Sequence, residues 1–314
     1  MNYPSPSSAA ALVTIADLSR RFGAKTALDQ VSLYVPRGGV FGLVGENGAG
    51  KTTLIKHILG LLRAEAGSVR VFDLDPVADP VGVLGRIGYL SEQPDLPGWM
   101  RVDEFMRYSR AFYPQWDDAY AERMRVQFGL DPAARIRTLS KGQRAKAGLL
   151  AARAHRPDLL LLDEPSSGLD PIVRRDILEA VIRTVADEGR TVFFSSHLLE
   201  EIERVSDNIA MLHQGKIVLC GPLDEIKARH RCLTLRFDTV MAKAPVIAGA
   251  LSISGEGREW SVLCNGTRIE WPALAAGLGA RIVEERPPSL TEIFVARAGT
   301  TSFNAPELAT PGKS

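Results

Sequence analysis

A chain of 314 residues exceeds what one small domain needs, so it holds one large domain or two unequal ones. Lys and Arg total 38 against 37 Asp and Glu, a formal net charge of +1, which excludes nucleic-acid binding through bulk charge. With 45% hydrophobic and 24% charged residues, a disordered or collagen-like chain is excluded as well, and any phosphate must be held locally. Cys220, Cys232 and Cys264 are too scattered for a disulfide framework or a thiolate zinc site, which fits a reducing cytosol. The first sixteen residues lack the basic start of a signal peptide, and charges elsewhere interrupt every apolar run before the roughly 20 residues a span needs. Work at a membrane would therefore require an anchor from another chain.

Residues 1–10 and 299–314 are rich in Pro, Ser, Ala, Thr and Gly without apolar periodicity and read as flexible tails. Leu12–Ile15, Val31–Val35 and Val40–Val44 are short β-favourable runs, and the third ends in a glycine-rich turn before a predicted helix over Thr52–Leu62. A strand follows at Arg86–Leu90. Between about 98 and 156, Asp103–Phe112, Asp118–Phe128 and Lys141–His155 carry helical spacing, which suggests a helical insert. Leu159–Leu162 reads as a strand buried on both faces, Ile172–Val185 as a helix and Val192–Ser195 as a further strand, together a parallel α/β core. Met211–Cys220, centred on Gln214-Gly215, is a hairpin signal, and Leu223–His230 a short helix closing the main domain. Past about 231 come strand-like stretches at Leu233–Phe237 and Trp260–Leu263 and a final helix after Pro287-Pro288, so a small α+β appendage is expected. Trp260 and Trp271 read there as core or interface anchors.

The segment Gly45-Glu46-Asn47-Gly48-Ala49-Gly50-Lys51-Thr52 has the phosphate-binding loop pattern in its required place, between a strand and a helix. Its glycines let backbone N–H groups converge on β- and γ-phosphate oxygens at the positive end of the helix. Lys51 adds a point charge, the Thr52 hydroxyl can ligate Mg²⁺, and Thr53 completes the binding positions. Asp163-Glu164 places two carboxylates at the carboxyl end of a buried strand, where α/β sheets bind ligands. Asp163 suits Mg²⁺ held through water, and Glu164 suits polarising an attacking water.

These motifs, with Leu139-Ser140-Lys141-Gly142-Gln143, Ser167-Gly168-Leu169-Asp170 and His197 in that order, resemble the ATP-binding cassette ATPases over about residues 12 to 230. The pentapeptide is similar to the family signature, with Lys where the commonest form has Gly. The resemblance implies an α/β fold: a P-loop NTPase core with an antiparallel β subdomain and a helical insert, then a small C-terminal α+β appendage. The ATP-binding domain would span 11–230 and the accessory domain 231–298. It implies ATP and Mg²⁺ as ligands, and a head-to-tail dimer, with a second copy or a homologous ATPase subunit, that seals two nucleotides. Phe22 then matches the aromatic that stacks on adenine. Ser140, Gly142 and Gln143 would face the γ-phosphate of the partner's ATP, Asp170 would belong to the D-loop, and His197 would bond the γ-phosphate and the water held by Glu164. The family usually places a Gln near the metal where this chain has Glu92, with Gln93 next to it; either could serve.

Two function classes follow. One is the ATPase subunit of a transporter, peripheral at the cytoplasmic face of the inner membrane through separate permease subunits; the other is a soluble mechanochemical ATPase. One cassette, with Lys51 and Leu139 only 88 residues apart and no sustained heptads between, favours the first. The appendage and Ser289-Leu290-Thr291-Glu292-Ile293-Phe294 resemble the ATPases of bacterial type 2 exporters. Docking on the permease is expected near Glu92–Val102, where Leu96, Trp99 and Met100 would offer exposed apolar contacts, against the alternative that Trp99 packs under the helical lobe.

Overall fold

The computed structural model describes residues 11–186, 189–247, 249–266 and 270–300. Strands β1 (Ala11–Phe22) and β2 (Lys25–Pro36) form an antiparallel ribbon; β3 (Gly39–Val44) leads through the glycine-rich turn into α1 (Lys51–Ile58), and β4 (Ala66–Val71) pairs with β1. After α2 (Pro80–Leu84) and β5 (Ile87–Leu90), the helical insert comprises α3 (Val102–Arg110), α4 (Asp118–Gln127) and α5 (Lys141–Arg153). The chain returns through β6 (Leu159–Asp163), α6 (Pro171–Ala186), β7 (Thr191–Ser196), α7 (Leu199–Val205), β8 (Asn208–His213) and β9 (Lys216–Pro222).

The six-stranded sheet has the order β5-β6-β7-β3-β8-β9, parallel except for the terminal β8–β9 hairpin. Every residue of β6 is buried, because helices cover both faces of a parallel sheet and the Leu run satisfies both. Helix α1 packs between the three-stranded sheet and β6, so Leu54, Ile55 and Ile58 share one core with Val13, Leu28, Leu43 and Phe193. The hairpin turns on Gln214 (φ 47°) and Gly215 (φ 79°), the left-handed pair that a two-residue turn demands.

Helix α1 ends at Ile58, short of the expected Leu62. Gly60 takes φ 71°, its N–H bonds His57 O at 3.0 Å and the Leu61 N–H bonds Lys56 O at 2.9 Å. That Schellman closure stops the helix where apolar spacing alone would continue it.

The chain divides into two compact units after Pro222, not after 230. Helix α8 (Leu223–Arg229) runs directly into β10 (His230–Met241) and packs on it, which assigns it to the second unit. That unit continues with β11 (Ala250–Asn265), α9 (Trp271–Gly277), β12 (Ala280–Arg286) and α10 (Leu290–Thr300), its sheet ordered β11-β10-β12. Trp260 and Trp271 are buried in its core with Leu233, Leu235, Phe237 and Val262. Helix α10 takes in residues 299 and 300 of the expected C-terminal tail; the rest of that tail and residues 1–10 lie outside the described residues. Ser289 and Glu292 cap α10 reciprocally, Ser289 N donating to Glu292 Oε2 at 2.8 Å and Glu292 N to Ser289 Oγ at 3.2 Å.

Candidate active site

Parallel pairing brings the carboxyl ends of three strands together. Asp163 at the end of β6 lies opposite Ser195 of β7, and Val44 at the end of β3 lies opposite Ser196. The phosphate-binding loop therefore leaves β3 beside the Asp163-Glu164 pair and beside the segment entering His197. Within the loop Gly50 holds φ 114°, and a β-carbon there would fall 2.5 Å from Ala27 O, so only glycine fits. Glu46, Asn47 and Gly48 are exposed on the outer side while Gly45 and Ala49 are buried beneath them. Gly50 has no side chain to cap α1, which leaves the first N–H groups of the helix for an anion.

The buried Lys51 ammonium donates to Gly45 O at 2.6 Å and Glu46 O at 3.1 Å, and lies 3.1 Å from Glu164 Oε1 as an ion pair not aligned as a hydrogen bond. Glu164 itself is buried, with φ 50° in the left-handed region, which costs a non-glycine residue about 1–3 kcal/mol and marks a position held by its surroundings. Its N–H donates to Ser195 Oγ at 3.1 Å, and its Oε2 meets His197 Nδ1 at 2.7 Å. Ser195 Oγ donates to Asp163 Oδ1 at 2.7 Å, and the Thr52 hydroxyl bonds the same carboxylate. Burial pushes the Asp163 acid upward, partly offset by those two hydroxyls. A phosphate-binding turn, a buried ammonium, two carboxylates and an imidazole thus converge at one sheet edge.

The chain matches the family described as ABC transporter over residues 28–167. It is 32% identical over 306 residues to the daunorubicin resistance ATP-binding protein DrrA3 of Streptomyces coeruleorubidus, covering 91% of this chain and 96% of that one. It is 34% identical to the ABC transporter ATP-binding protein NatA of Bacillus subtilis, covering 72% of this chain and 96% of NatA. A solved ATP-binding subunit of an ABC transporter superposes with a TM-score of 0.64 at 31% identity, over 69% of this chain and 92% of that one. The chain belongs to the ABC transporter ATP-binding proteins. It is an ATPase with the P-loop NTPase α/β fold of that family.

In this ABC ATPase the donors around Thr52 and Asp163 fit Mg²⁺. The ion takes few protein ligands, all oxygen, beside nucleotide phosphates, and a cation would relieve the burial of Asp163. Of the two residues open for the additional ligand, both are exposed, and Glu92 accepts from Ser167 Oγ at 3.1 Å, which ties it to the segment after Glu164. Phe22 sits at the end of β1 opposite Lys25, the residue 46% exposed, with the Arg20 guanidinium 4.9 Å from its ring centroid. The Lys25 ammonium lies 3.9 Å from where a β-carbon on Gly48 would stand, so this strand end borders the phosphate-binding loop. Thr53 is half-buried and its carbonyl accepts from His57 Nδ1 at 2.8 Å.

The signature residues open α5. Ser140 Oγ accepts from Gln143 N at 3.1 Å and Gln143 Oε1 from Ser140 N at 3.0 Å, a capping box that starts the helix. Gly142 is buried, and a β-carbon on it would come 2.8 Å from Val173 Cγ2, so its smallness serves packing on α6 within the subunit. Asp170 Oδ1 accepts from Ile172 N at 3.0 Å and Val173 N at 3.1 Å, which caps α6. The Lys141 ammonium stands beside Gly168, 2.6 Å from where its β-carbon would lie.

Two expectations for the docking segment resolve differently. Trp99 is 67% exposed and does not pack under the helical lobe, whereas Met100 is buried and offers no surface contact. Beside them a groove of about 690 Å³ runs between β5 and the insert, walled by Tyr89, Leu90, Leu96, Phe105, Tyr108 and Phe112. Sequence reasoning missed Ser195 and Glu201, both buried and bonded within the site; a serine pair before a motif histidine is too common a pattern to have marked them.

Proposed function

We propose that the chain is the ATP-hydrolysing subunit of an exporter, held at the cytoplasmic face of the membrane by permease subunits that carry the spanning helices. Among the described residues no helix is long and apolar enough to cross a membrane, consistent with an anchor on other chains. The relative named for daunorubicin resistance supports export, and the apolar groove with the exposed Trp99 suits an inserted permease segment. In this reading residues 11–222 serve as the ATP-binding domain and residues 223–298, which include α8, as the accessory domain.

The observation that carries hydrolysis is the 2.7 Å contact of His197 Nδ1 with Glu164 Oε2, on a carboxylate also paired with Lys51. Without nucleotide, Lys51 neutralises Glu164 and occupies loop carbonyls. When ATP enters, the ammonium exchanges those partners for β- and γ-phosphate oxygens, which frees Glu164 to accept the proton of the attacking water. His197, held on Glu164, orients that water and donates to the γ-phosphate. Thr52 and Asp163, with Glu92 or Gln93, would hold Mg²⁺, which would supply charge neutralisation of the phosphates. Phe22 stacks on adenine. Two subunits close head to tail, so that Ser140, Gly142 and Gln143 at the start of α5, with the Asp170 loop, face the partner's nucleotide.

Glu164→Gln keeps shape and removes basicity, so ATP binding should persist while turnover falls at least ~10²-fold and a dimer accumulates in ATP. Near-wild-type hydrolysis in that variant would assign the base elsewhere. For the permease, Trp99→Ala should uncouple transport from hydrolysis while sparing basal ATPase activity. A subunit that never fractionates with membranes when co-expressed with its neighbouring permease would favour the soluble mechanochemical alternative.

A further inference from the structure

We infer that Glu201 is a positioning residue for hydrolysis: its buried carboxylate clamps together the chain segments that carry Glu164 and His197. The inference rests on the hydrolytic reading of that pair. Glu201 lies in the first turn of α7 and is 5% exposed, so an ionisable group has been taken out of water. Its Oε2 accepts two hydroxyl hydrogen bonds, from Ser166 Oγ at 2.6 Å and from Ser196 Oγ at 2.9 Å. Its Oε1 lies 3.2 Å from Arg174 Nε, on the helix that begins just past the Ser167–Asp170 loop. Ser166 and Ser196 are themselves almost fully buried, so both hydroxyls need a partner within the protein.

The placement of the two serines gives the clamp its meaning. Ser166 stands two residues after Glu164, and Ser196 immediately before His197. The Ser196 hydroxyl also accepts from Leu198 N at 3.0 Å, so it closes the backbone on both sides of His197 while donating to Glu201. One oxygen atom therefore sets the separation of the two segments, and the 2.7 Å contact of Glu164 with His197 is made at the other end of the same short arms. Glu201 touches neither nucleotide-binding loop nor the Glu164–His197 contact; it acts through the geometry of others. Displacing a reacting group by about 1 Å can cost ~10²-fold in rate while binding is untouched.

The test compares Glu201→Ala, Glu201→Gln and Ser166→Ala in the full-length chain, with ATP affinity, thermal melting and single-turnover hydrolysis measured for each. Glu201→Ala should lower the hydrolysis rate by roughly 10- to 100-fold with ATP affinity within about threefold of wild type. Glu201→Gln keeps a carbonyl oxygen for both serines, and Arg174, partly exposed, can turn to water, so this variant should recover most of the rate. In a His197→Ala background the further loss from Glu201→Ala should shrink to within about threefold, because the arm it positions is already empty. A wild-type rate in Glu201→Ala, or losses that multiply in full with His197→Ala, would overturn the inference. Should Glu201→Ala fail to fold, Ser166→Ala removes one hydroxyl and no charge: a rate loss of several-fold at unchanged affinity supports the clamp, and a wild-type rate overturns it. Glu164→Gln separates the levels. If that variant hydrolyses normally, the reading of the pair fails; if it is inactive while Glu201→Ala is active, only the clamp fails.

Discussion

The two units of this chain bury different chemistry. The first encloses Lys51, Asp163, Glu164, Ser166, Ser195, Ser196 and Glu201 around one sheet edge, whereas among the described residues the second buries a single polar side chain, His230. Burying a charge costs several kcal/mol before any partner is supplied, so a dense buried network signals chemistry that requires it. The second unit is organised instead by apolar packing, with Trp260 and Phe237 of its three-stranded sheet and Trp271 of α9 in one core. Its polar motif Ser289–Glu292, which sequence resemblance connects to exporters, does helix-capping work and binds Arg286 through Glu292 at 2.9 Å. A motif shared with a functional class can thus be structural in its immediate physics.

The contrast can be broken most severely at Trp260. Truncation to Ala should destabilise the second unit by about 3–5 kcal/mol, read by denaturant unfolding, and leave ATP affinity unchanged. A parallel loss of ATP affinity would show that the two regions do not stand apart energetically. Lys51→Ala attacks the other side: it removes a charge-assisted bond to the phosphates worth about 1.5–3 kcal/mol, so calorimetry should find ATP bound roughly ten- to a hundredfold more weakly. Unchanged affinity would remove Lys51 from the phosphate site.

Gly142→Ala sharpens the question of whether the signature glycine serves the partner's nucleotide or its own subunit. The added methyl meets Val173 at 2.8 Å, and overpacking of this kind costs about 1–3 kcal/mol, so the melting temperature should fall even without ATP. A normal melting temperature with lost ATP-driven dimerisation would assign the glycine to the interface alone.

The smallest effect concerns Glu292, whose carboxyl is drawn down to about 2 from 4.5, chiefly by the hydrogen bond from Arg286. A depressed folded pKa stabilises above the unfolded value and loses that stabilisation as pH falls through the folded one. Glu292→Gln should therefore cost less than about 1 kcal/mol at neutral pH, since the pair is partly solvated. That difference should vanish between pH 4.5 and about 2 in acid unfolding of the two proteins. A difference that persists at pH 2 would mean that Glu292 acts through the capping geometry and not through its charge.

Much of the site was legible in the chain before any fold was known. The phosphate-binding loop, Asp163-Glu164 and His197 each sit beside a strand, and local composition reveals strands and turns. The end of α1 was less legible, because Leu59, Leu61 and Leu62 continue the apolar spacing while Gly60 alone carries the stop. The boundary after Pro222 escaped for a related reason: an amphipathic turn such as Leu223–Arg229 shows that it has a buried face, not which core it faces.

Residue order along the chain was enough to read the glycine-rich loop between strand and helix, the parallel α/β core, the helical insert and the membership in the ABC ATPases. These depend on residue types at short, fixed spacings, where backbone geometry restricts the outcome. Folding was needed to bring His197 to Glu164 across 33 residues, to set Ser166 and Ser196 on one oxygen of Glu201, and to pack Gly142 on Val173. Those contacts depend on which strands lie side by side and how helices settle on them, and chain separation of that length leaves no periodic trace.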